Sequence, residues 1–170
     1  SNDYPFPNFT ESATDSIRIL EDTDNDGRAD KFTTFVEGIT IPMGLYPYQD
    51  GVIAFTIPNI VFYRDTDGDG KSDTSEVLYG PFDYSRDTHG LNNAFRRGLD
   101  GWIYACHGFN NNSKVAGTDG HVVSMQSGNT YRFKIDGSRI EHYTHGQVNP
   151  FGMTFDPWGD LYSSDCHTVP

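Results

Sequence analysis

The stretch DTDNDGRAD (Asp22–Asp30) returns as DTDGDGKSD (Asp65–Asp73), 43 residues further along the chain. Calcium takes about six to eight oxygens, and alternating carboxylates in a tight loop can converge on one point while the residues between them face outward. In the second copy Asp65, Asp67, Asp69, Asp73 and Glu76 fill positions 1, 3, 5, 9 and 12 of the EF-hand spacing. Lys71 stands at position 7, where the ligand is a backbone carbonyl, and Gly70 stands at the sharp turn. The first copy offers Asp22, Asp24, Asp26 and Asp30, but Thr33 replaces the acidic residue at position 12, so its site is expected to be weaker. An EF-hand also needs flanking helices, whereas NIVFY before and VLYGPF after the second loop are β-branched and aromatic. The pattern predicts two hairpins whose turns are stiffened by calcium, with a stabilising rather than catalytic role. The competing reading is a pair of solvated turns, since Asp and Gly favour turns without any metal.

A repeat of about 40 to 50 residues is the spacing of β-propeller blades, each of four short antiparallel strands. The chain divides that way. MGLYPY, GVIAFT, NIVFYR and EVLYG form one blade, and LNNAFR, WIYAC, TYRFKI and RIEHYT form the next. FGMTFD and DLYSSD open a third, while SIRIL and KFTTFV are the outer strands of a blade before the first. The expected fold is therefore all-β: a partial propeller over residues 16–170, two complete blades plus parts of two more from a six-bladed wheel, after an extension at 1–15. A single β-sandwich is the alternative. HGFNNNSKVAGTDGHVVSMQSG (107–128) reads as a long polar loop inserted into the second blade.

Composition narrows the function classes. The 170 residues include 12 Phe and 10 Tyr, and the net charge of −12 would repel nucleic acid over most of the surface. No apolar run approaches the roughly 18 to 20 residues that span a bilayer. SNDYPFPNFT lacks the build of a signal peptide, which leaves a cytosolic protein or one whose signal has been removed. Calcium loops fill readily outside the cytosol, which favours a periplasmic or extracellular location. Cys106 and Cys166 leave one disulfide or two free thiols equally open.

IPMGLYPYQDGVIAF, THGLNNAFRRGLDGWIYACHGFNN and NPFGMTFDPWGDLYSSDCHTVP resemble the N-terminal propeller of the PVC-type membrane-bound dehydrogenases, secreted proteins that often carry a C-terminal cytochrome c segment. More remotely, that propeller is similar to the soluble quinoprotein glucose and sorbosone dehydrogenases, which hold pyrroloquinoline quinone (PQQ) and calcium. The resemblance implies oxidation of a sugar or other alcohol, with electrons passed to a haem outside this chain. It implies His89, in THGLNNAF, as the general base, a task suited to imidazole because its pKa lies near working pH. Asn149, in VNPFG, matches the asparagine that follows a quinone-clamping arginine, but Val148 occupies the arginine's place. Arg97 and His167 are further candidates for lining the cofactor site. The rival expectation is a non-catalytic calcium-binding propeller that takes glycans or partner proteins.

Trp102, Trp158, Phe95, Phe151 and Phe155 alternate with polar residues and are expected in the core between blades. His107 and His167 follow equivalent strands and could approach one another.

Overall fold

The computed structural model describes residues 1–9 and 13–166, which form fourteen β-strands. Among the described residues no helix is long and apolar enough to cross a membrane. The chain begins with a hairpin of β1 (Asp15–Glu21) and β2 (Lys31–Ile39). A four-stranded antiparallel meander follows: β3 (Met43–Tyr48), β4 (Gly51–Thr56), β5 (Asn59–Arg64) and β6 (Thr74–Tyr79). The acidic loops occupy equivalent places, the first joining β1 to β2 and the second β5 to β6. No helix flanks either loop, as the β-branched surroundings predict.

The second meander consists of β7 (Asn93–Arg97), β8 (Ile103–His107), β11 (Gly128–Phe133) and β12 (Ile140–Gln147), in spatial order β12-β11-β8-β7. Between β8 and β11 the chain makes a separate hairpin, β9 (Asn112–Ala116) and β10 (Val122–Gln126). This corrects the expectation of a polar loop. Ser113, Val115, Val123 and Met125 alternate inward along the two strands while their neighbours face solvent, so the period-2 signal is present but diluted by Asn, Ser and Gly. The hairpin tip docks on the β11–β12 turn: Thr118 N donates to Gly137 O at 3.0 Å, Asp119 N donates to Ser138 O at 3.0 Å, and Arg139 pairs with Asp119 at 3.0 Å. The chain closes with β13 (Asn149–Phe155) and β14 (Leu161–Cys166).

Three apolar layers join these sheets in chain order. Ile17 and Phe35 of the first hairpin pack with Val52, Ala54, Val61 and Tyr63. Ile53, Phe55 and Phe62 of the first meander meet Phe95, Tyr131 and Phe133 of the second in the largest cluster. Tyr104 and Cys106 then pack against Met153 of the last hairpin. Each fully buried aromatic or aliphatic side chain contributes roughly 1.5–3 kcal/mol. Phe95 is buried and Phe155 partly buried, but Trp158 is 84% exposed and Phe151 48% exposed, contrary to the expected core placement. Trp158 lies in the β13–β14 turn, and that hairpin is covered by a neighbouring sheet through Met153 rather than through these rings.

The strands that open the three units share one irregularity. Register slips between Met43 and Tyr46, between Asn93 and Arg96, and between Pro150 and Met153. Each slip contains a residue at positive φ: Gly44 at 56°, Ala94 at 57° and Gly152 at 152°. A bulge repeated at one place in successive sheets is a built feature, re-aiming the residues before it. At Gly44 a Cβ would lie 2.8 Å from the Phe95 ring, so a bare backbone lets the two meanders close on one another.

Candidate functional site

Two sets of polar residues stand out. The first is the pair of acidic loops, which share one hydrogen-bond frame. In the second loop Asp65 accepts from Gly68 N at 2.7 Å, Asp69 N at 3.2 Å and Gly70 N at 2.8 Å. In the first, Asp22 accepts from Asp26 N at 3.2 Å and Gly27 N at 2.9 Å. The backbone N–H groups, led by Gly70 for Asp65 and by Gly27 for Asp22, hold both carboxyls below their usual range. The Thr23 hydroxyl does the same for Asp30 at 2.7 Å.

Carboxylate oxygens of Asp22, Asp24 and Asp26 converge in the first loop, and those of Asp65, Asp67 and Asp73 in the second, so each could hold a metal ion. Asp69 turns toward Lys71 N at 2.8 Å, as Asp26 does toward Arg28 N. Glu76 lies on β6 opposite Phe62. It follows the converging set of Asp65, Asp67 and Asp73 by three residues. The second loop is tied to the first hairpin by Ser72 N donating to Phe35 O at 2.7 Å. An ion there would brace the junction of two sheets.

The second set gathers where β8, β13 and β14 meet the segment before β7. Asp87 accepts from His89 N at 3.0 Å and from Gly90 N at 2.9 Å, which fixes the turn carrying the His89 ring. Gly90 crosses Gly108 so closely that a Cβ on either would enter the other strand's backbone. Asn149 joins the crossing, its Oδ1 accepting from Phe109 N at 3.2 Å and its Nδ2 donating to Cys166 Sγ at 3.2 Å. Asp165 accepts from Val148 N at 2.8 Å and Asn149 N at 2.7 Å. The exposed His89 ring stands between Tyr4, hydrogen-bonded through its hydroxyl to Nδ1 at 3.0 Å, and Phe151, stacked at 6.5 Å.

His89 and Asn149 are thus brought to one place, but the Asn149 amide is engaged inside the protein. Arg97 is not brought there. It pairs with Ile103 at the far end of β7 from Asn93, roughly 13 Å along the strand. His167 lies outside the described residues. His107 is buried, with Nδ1 donating to Ser127 O and Nε2 accepting from Ser113 Oγ, both at 2.8 Å. Burial pushes its pKa down, against the pull of the Ser127 bond, and the imidazole anchors the inserted hairpin. Cys106 and Cys166 are free thiols, and burial pushes Cys106 up to about 11. Asn93 Oδ1 is a buried acceptor without a hydrogen-bond partner among the described residues.

Tyr4, Asp87 and the Gly90/Gly108 crossing are the parts that sequence reasoning missed. Asp87 stands two residues before His89, a spacing typical of side-chain-capped turns, and was legible in principle. Tyr4 carries no such signal, because its contact spans 85 residues.

A protein-family model described as "Domain of unknown function (DUF7133)" matches residues 1–169. No curated protein and no solved structure matches the chain.

Proposed function

The chain belongs to the DUF7133 family, and we propose that it is the calcium-stabilised arc of a six-bladed β-propeller from a secreted dehydrogenase of the PVC type. The proposed reaction is oxidation of a sugar or other alcohol in the periplasm or outside the cell, with electrons passed to a haem domain beyond these residues. The observation that carries this reading is the repeated unit: two four-stranded meanders flanked by half-units, with the same bulge three times and the same acidic loop twice. In a propeller the ends of the opening strands face the central axis, where substrates bind, and His89 and Asn149 lie before two of these bulges.

In this reading His89 takes the proton of the substrate hydroxyl. Its turn is fixed by Asp87 and its ring is open to solvent, as a base that meets an incoming substrate requires. Calcium fits the loop carboxylates and would neutralise part of the charge of −12. PQQ fits less well. Its three carboxylates call for a guanidinium beside Asn149, whereas Val148 holds that position, Arg97 is distant, and Asp165 supplies negative charge. The residues described do not form the quinone's clamp.

That mismatch favours one second reading, a non-catalytic propeller that binds glycans or partner proteins. Calorimetric titration of PQQ into the calcium-loaded full-length protein separates the two. Micromolar or tighter binding supports the dehydrogenase. No binding to folded, calcium-loaded protein removes PQQ and favours the binding propeller.

A further inference from the structure

We propose that Tyr4 is a positioning residue for His89, its phenol oxygen accepting the Nδ1 proton so that Nε2 is left bare to act as the base. The inference rests on His89 as the base of the proposed reaction.

Residues 1–9 run across the end of the sheets as a strap held at several points. Asp15, buried at the start of β1, accepts from Ser1 Oγ and Asn2 N on one side and Ile41 N at 2.8 Å on the other. Asn8 N donates to Thr40 Oγ1 at 3.0 Å, and the Phe9 ring rests on Tyr84 at 5.6 Å. Next to the histidine itself, Thr88 Oγ1 donates to Pro5 O at 2.6 Å. With Pro5 and Thr88 tied together, their neighbours Tyr4 and His89 are held in register, and the phenol meets Nδ1 at 3.0 Å.

Imidazole has two inequivalent nitrogens, and the bond made by one decides which carries the proton. The Tyr4 ring is partly exposed, so its hydroxyl can give its own proton to water while accepting from Nδ1. Phe151 stacks on the same imidazole at an interplanar angle of 23°, limiting rotation of the ring. The turn held by Asp87 fixes the backbone of His89, and the strap fixes the ring and its tautomer.

The test is histidine-selective ¹⁵N NMR of the full chain at alkaline pH, which reads the tautomer of each neutral imidazole without turnover. The proposal expects Nδ1–H for His89 in the wild type and a shift to mainly Nε2–H in Tyr4→Phe. Thr88→Val, which frees Pro5 but keeps the phenol, should shift the population the same way by less. Two other histidines report on the fold: His107 as Nδ1–H against Ser127 O, and His142 as Nε2–H against Asn129 Oδ1 at 2.6 Å. Wild-type His89 found as Nε2–H, or an unchanged tautomer in Tyr4→Phe with His107 and His142 undisturbed, overturns the proposal. Loss of turnover evidence for the dehydrogenase would leave the tautomer result readable, so the two ideas fail separately.

Discussion

Replacing Gly90 with alanine tests the crossing that builds the candidate site. Gly90 is not at positive φ, so alanine fits its backbone conformation and should gain about 0.4–1 kcal/mol by narrowing the unfolded ensemble. Against that, the new methyl would lie 2.7 Å from Phe109 Cβ and 2.8 Å from Asn149 Oδ1, and closer still to Phe109 N. The Phe109 contact is backbone, which cannot swing aside as the tip of a flexible side chain would. Overpacking of this kind costs about 1–3 kcal/mol, and displacing Phe109 also loses its bond to Asn149, worth about 1 kcal/mol. The steric effect wins, leaving a net loss of about 2 kcal/mol. With a urea dependence of about 2 kcal/mol per molar, the unfolding midpoint should fall by about 1 M. Gly120→Ala is the control, since a Cβ there meets nothing within 4 Å and only its φ of +82° resists substitution. A Gly90→Ala midpoint equal to or above that of the wild type would refute the close crossing of Gly90 and Gly108.

Other expectations follow from the same geometry. Calcium at about a hundred times its dissociation constant should add about 2.7 kcal/mol for one site, seen as a rise in thermal midpoint that EDTA reverses. Asp65→Asn should abolish the share of that rise due to the second loop, and an unchanged rise would remove Asp65 from the ligands. The carboxyls of Asp22, Asp30 and Asp65 are held below their usual range, so their stabilising effect is present above about pH 4, where the unfolded carboxyls are ionised, and is lost as pH falls through the lower folded values. Amide protection factors in both loops, taken relative to intrinsic exchange at each pH, should therefore fall in acid in metal-free protein, and protection factors that do not change with pH would contradict the hydrogen-bond frame. One thiol, exposed Cys166, should react quickly with a disulfide reagent at pH 8, while buried Cys106, pushed up to about 11, should stay inert until unfolding. Two fast thiols would mean that the layer between β8 and β13 is open.

The strand plan was largely legible because short β-branched and aromatic runs are bounded by turn residues in the first meander: MGLYPY, GVIAFT and NIVFYR are β3, β4 and β5 residue for residue, and β4 and β5 are buried on both faces. The 43-residue echo pointed to equivalent hairpins, and β1–β2 and β5–β6 are those hairpins. Legibility fell where polar residues take inward places. Ser113 is buried against His107, so the alternation of β9 was obscured by a serine doing a hydrophobic residue's packing. In the second loop the carboxylates that converge are Asp65, Asp67 and Asp73, while Glu76 follows on β6, where spacing alone does not give the side chain's direction. At the candidate site, His89 and Asn149 were found through a resemblance, while Arg97 was misplaced because position along a strand cannot be told without register. Tyr4 was beyond reach of local reasoning, since nothing near it in sequence anticipates a partner 85 residues away in the segment before β7.

The most direct measurement of the central claim is dye-linked oxidation of a panel of sugars and alcohols by the full-length protein as purified with its own cofactor and supplied with calcium, comparing wild type with His89→Ala. Turnover that falls by about 10² or more in the variant, with folding intact, is the predicted result. Absence of turnover across the panel by folded, calcium-loaded protein, or equal turnover by His89→Ala, would contradict a dehydrogenase built around His89.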